Sequence, residues 1–205
     1  MKKLNFKQLV PLVLGALLAL LGLAYLPNGG QAIALGIVAL LIGLAYVCLV
    51  LLAPFIKKDN YGATAQSLFL IGFPLYLLVM DILTLINGNQ NYELIGWIMI
   101  IVKLLAEIGV IAFAIILIFS KDSLFGKIKN ISILVLLCML IVEVVFTYRG
   151  VPKTLNGTTL LEYAFIACYG YIAFNSLNES NEKQEQPSKD EKPVEESEEK
   201  QETAE

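Results

Sequence analysis

The chain has 205 residues, of which 57% are hydrophobic and none is histidine, and its mean hydropathy is +0.71. Its 15 basic and 18 acidic residues give a formal net charge of −3. That composition excludes an ordinary soluble domain or a nucleic-acid binder and points to a chain that lives in lipid. The lack of histidine removes His-ligated zinc, histidine-based triads and imidazole relays, so no metal or other cofactor is expected.

About 20 mostly apolar residues cross a bilayer core as a helix, and only helices or closed barrels satisfy their own backbone there. The apolar runs are continuous and lack the alternation of barrel strands. They predict an all-α polytopic integral membrane protein with six transmembrane helices, at roughly 9–26, 31–53, 65–86, 94–119, 128–147 and 158–177. Residues 1–177 form the membrane domain, and 178–205 a separate tail.

The first span follows "MKK", and "AIA" at Ala32 to Ala34 would also fit a signal-peptide cleavage site. The apolar stretch outruns the usual h-region of roughly 7–15 residues and the second span follows at once, so it reads as a retained helix. Gly15 and Gly22 are spaced as Gly36 and Gly43 are. Folding about Gly29 sets Gly15 level with Gly43 and Gly22 level with Gly36. Small residues at matching depths let backbones approach closely, which predicts a tight hairpin with no charge inside it, a packing wall.

The third span carries Asp81 about 8 Å from its outer end, with Thr84 three residues on and Pro74 breaking the helix ladder below. The fourth holds Lys103 and Glu107 near its middle, one turn apart and able to pair, though in the less favourable order. Glu143 and Glu162 lie near the outer ends of the fifth and sixth spans. On the sixth, Glu162, Tyr169 and Ser176 repeat at sevens and form one polar stripe. Trp97, Tyr92 and Tyr148 read as interfacial anchors, and Cys48, Cys138 and Cys168 as small packing residues.

From Asn178 onward there are eleven acids and four lysines, net −7, so the preceding residues carry +4. With one large aliphatic residue, Val194, and no aromatic, this segment reads as a disordered acidic tail that an anionic leaflet repels and a cytosolic partner can bind. Basic residues gather before span one (Lys2, Lys3, Lys7), after span two (Lys57, Lys58), between spans four and five (Lys121, Lys127, Lys129) and in the tail. Only Arg149 and Lys153 fall on the opposite side. Both termini are therefore expected in the cytoplasm, of a cell membrane of bacterial plasma type.

Ionisable groups inside lipid are costly and usually face protein or water. Asp81, Lys103, Glu107, Glu143, Glu162 and Tyr169 are thus the candidate ligand- or ion-binding residues, lining a polar cavity among spans three to six that opens outward. Four acids against one lysine leave an excess of negative charge that protonation would reduce. The reading is a solute-binding or transport subunit for a cation, a proton or an amine, energised by a partner protein. The alternative is a non-enzymatic accessory or assembly protein that acts through a membrane partner and its acidic tail. The layout resembles, in outline only, the membrane subunits that bind vitamins for uptake; no motif is shared residue by residue. An enzyme is the weakest reading, because close-set acids with arginine or histidine to hold phosphate are missing and Arg149 sits in a loop.

Overall fold

A computed structural model of the chain describes residues 6–53, 61–86, 94–120, 122–145 and 157–185. Six helices make up these segments: α1 (Phe6–Tyr25), α2 (Gln31–Leu52), α3 (Tyr61–Ile86), α4 (Leu94–Phe119), α5 (Ser123–Val145) and α6 (Gly157–Glu185). Each contains a stretch long and apolar enough to cross a membrane. Large apolar side chains such as Leu20, Leu41, Leu105, Ile131 and Phe174 point outward, as lipid-facing residues must.

The helices pack as a closed ring. Each touches the next in sequence, α6 returns to α1, and α3 meets α6 across the middle. The α1–α2 turn passes through a short 3₁₀ segment, Leu26–Asn28, then Gly29 at φ 73° and Gly30 at φ 57°. Glycine adopts such left-handed angles without the penalty a Cβ brings.

Within the hairpin the two backbones are nearly in contact at the predicted levels. A Cβ on Gly22 would lie 2.6 Å from the Gly36 oxygen, and one on Gly43 would lie 2.5 Å from the Gly15 oxygen. Lipid tails are as apolar as leucine, so this close approach, rather than hydrophobic drive, holds the pair together.

Two helix boundaries differ from the sequence reading by more than four residues. The start of α5 lies at Ser123, upstream of the apolar run, because the Asp122 carboxylate accepts the Leu124 amide at 2.9 Å and so caps an end that hydropathy does not register. Lys127 and Lys129 therefore belong to the helix rather than to a loop. In turn, α6 runs on to Glu185, past its apolar part at Leu160–Asn178. The rest of the expected tail, 186–205, lies outside the described residues. So do Lys2, Lys3, Lys57, Lys58, Lys121, Tyr92, Tyr148, Arg149 and Lys153, on which the expected orientation and part of the aromatic belt rest.

Candidate functional site

The inward face of α4 is made of Ile100, Lys103, Ala106, Glu107, Val110 and Ala114. Lys103 is fully buried. Its ammonium lies 2.7 Å from Oε2 of Glu143 on α5, and 3.0 and 3.3 Å from Oδ2 and Oδ1 of Asp81 on α3. One cation thus joins three helices. Helical side chains lean toward the N-terminus of their helix, which carries the Lys103 ammonium away from the Glu107 turn and toward the ends of α3 and α5 where Asp81 and Glu143 sit. The expected pairing within α4 gives way to bonds with both neighbouring helices.

Glu107 is also fully buried, and neither of its oxygens has a hydrogen-bond partner. The charged groups around it are Asp81, Lys103 and Glu143. Its carboxyl lies within hydrogen-bonding reach of that of Asp81. Ionised carboxylates only accept, so these two satisfy each other only with a proton between them. Among the described residues no three carboxyl or thiol groups converge as a metal site requires. The point on which Asp81 and Glu143 converge is held by the lysine.

Next to this cluster is a cavity of about 150 Å³. It lies at the end of the bundle that carries the α1–α2 turn. Glu143 and Glu162 supply its carboxyls, Tyr25 and Tyr76 its hydroxyls, and Phe73 and Phe165 its aromatic walls. Leu77, Met80 and Leu140 are among the side chains of its otherwise apolar surface. The Tyr25 and Tyr76 side chains are within hydrogen-bonding reach of each other. Phe73 anchors the wall, with its ring centroid 6.0 Å from that of Phe165 and 6.4 Å from that of Tyr76.

The expected cavity was to lie among spans three to six. In the structure α1 contributes Leu21 and Tyr25, and α4 is set behind the lining. The ring explains this: α1 packs on α6, closing that side, whereas α4 packs on α3 and α5. Of the six candidates, Glu143 and Glu162 line the cavity. Asp81, Lys103 and Glu107 form the cluster behind it, linked to it through Glu143.

The polar stripe of α6 meets three different partners. Glu162 faces the cavity. Tyr169, fully buried, donates its hydroxyl to the Leu70 carbonyl at 3.4 Å. Ser176 accepts from Lys129 at 3.0 Å. Leu70 is four residues before Pro74, so its carbonyl is the one that proline deprives of the usual amide. Thr84 bonds back to Met80 of its own helix at 2.8 Å and so contributes no polar group to the cluster.

Two participants were not anticipated from sequence. Tyr46 of α2 inserts its hydroxyl into the α3 ladder, donating to the Phe69 carbonyl and accepting the Phe73 amide at 3.0 Å. Its ring lies on Gly72, where a Cβ would come within 2.5 Å of it. A tyrosine within an apolar span and a Gly-x-Pro elsewhere were the available signals. The second is Lys129, buried at the opposite end of the bundle, about 21 Å along α5 from Glu143.

The chain matches no protein-family model, and comparison with curated proteins and with solved structures found no match.

Proposed function

We propose that this is a small membrane protein that binds a small organic ammonium ion in the cavity between α1, α3, α5 and α6 and carries it across the bilayer. One observation supports this reading above the others: Glu143 both lines the cavity and bonds Lys103, so a cation entering the cavity competes for a carboxylate already engaged with the buried cluster. The walls suit such a ligand. Carboxylates neutralise its charge, aromatic faces attract it through their quadrupoles, and apolar side chains accept its alkyl groups. A void of about 150 Å³ is the size that admits benzene in a protein interior. A metal ion, which needs several converging oxygens, is less well served.

Equilibrium binding of tetramethylammonium to the purified protein tests the reading. Glu162→Gln is expected to weaken binding at least tenfold while abundance and thermal stability hold. Unchanged affinity overturns the site. A fall in membrane insertion or abundance instead favours a structural role for the charges, and with it the accessory reading.

A further inference from the structure

The Glu107 carboxyl has no role in the cavity, yet it is fully buried with both oxygens unpartnered. A buried polar group in this condition is expensive, and in lipid more so. From α3 it faces Asp81, from α4 Lys103, from α5 Glu143, and from α6 the Tyr169 phenol, with Tyr46 of α2 behind that. The one cation among them is bonded to Asp81 and Glu143. The Asp81 and Glu107 carboxyls meet each other with no donor between them unless one carries a proton.

We propose that the Asp81–Glu107 pair is a proton-binding site, and that the protein exchanges one proton for each organic ammonium ion it takes up. The proposal rests on the cavity reading above. With the cavity empty, Lys103 neutralises one of the Asp81 and Glu143 charges and the shared proton neutralises Glu107, so the cluster carries one net negative charge. An ammonium ion arriving at Glu143 releases Lys103 from that carboxylate. The lysine then donates to Glu107 and Asp81, both ionised, and the proton departs to water. Three carboxylates now face two cations, and the net charge is again one negative. Holding that charge constant matters, because an additional uncompensated charge in a low-dielectric interior is strongly disfavoured. Glu143 links the two sites, being the one carboxyl that the cavity and Lys103 share.

Titration calorimetry of the purified protein with tetramethylammonium, in two buffers of different ionisation enthalpy, counts the protons released. This probe is permanently charged and carries no exchangeable proton of its own. About one proton released per ion bound is expected in the native protein, and none in Glu107→Gln. Infrared difference spectra of the native protein, which need no variant, should lose a protonated-carboxyl carbonyl band when the ion is added. Binding without proton release, or without loss of that band, overturns the exchange and leaves the cavity site standing. No binding at all removes the cavity reading and the exchange together.

Discussion

The α1–α2 hairpin and the α3–α4–α5 trio solve one problem by opposite means. Both must hold helices together where burying apolar surface gains nothing over lipid. The hairpin does so by subtraction: four glycines remove side chains until backbone meets backbone. The trio does so by addition, placing one ammonium between carboxylates on the flanking helices. The first joint is direct contact of backbone with backbone. The second leaves both Glu107 oxygens without a hydrogen-bond donor, the acceptors that the proposed exchange of partners by Lys103 would use.

The comparison is broken most severely at Lys103. Lys103→Met leaves buried Asp81 and half-buried Glu143 without their cation, a loss of about 3–5 kcal/mol, seen as a large drop in thermal unfolding temperature in micelles. Adding Asp81→Asn and Glu143→Gln is expected to restore much of it, since removing all partners is far milder than orphaning them. In the hairpin, Gly43→Leu sets a side chain against the Gly15 oxygen and the Ala19 amide. Neither can yield, and a loss of about 2–3 kcal/mol follows in the same assay. Tyr46→Phe removes the hydroxyl that bridges the hairpin to α3. It should cost about 1.5 kcal/mol and raise hydrogen exchange at the Phe73 amide. At the bottom of the scale, Leu105→Ala lies two residues from Lys103 but faces outward, and should change stability by about 0.5 kcal/mol or less.

The two regions also differed in how far the sequence revealed them. Glycine spacing carries depth directly, since 15 and 43, like 22 and 36, are equidistant from the turn, and no knowledge of the other helices was needed. The six helices were equally plain from hydropathy. The wiring of Lys103 was not. Its partners are 22 and 40 residues distant along the chain, and which carboxyls reach it depends on the ring order that puts α3 and α5 on either side of α4. The residues of the cluster could be named because charge in lipid is conspicuous; the division between cluster and cavity depended on α1 closing against α6, and apolar faces do not encode that. Lys129 was assigned to a loop because hydropathy sees a lysine and not the Asp122 cap before it.

The Leu70 carbonyl has a consequence for biogenesis. Its donor at maturity is Tyr169, 99 residues further on, while Tyr46, which tends the adjoining break, is already synthesised when α3 leaves the ribosome. The third helix is therefore completed in two instalments. The hairpin supplies the partner of Phe69 and Phe73, and α6 supplies that of Leu70. Truncation before residue 169 would leave that acceptor without its tyrosine.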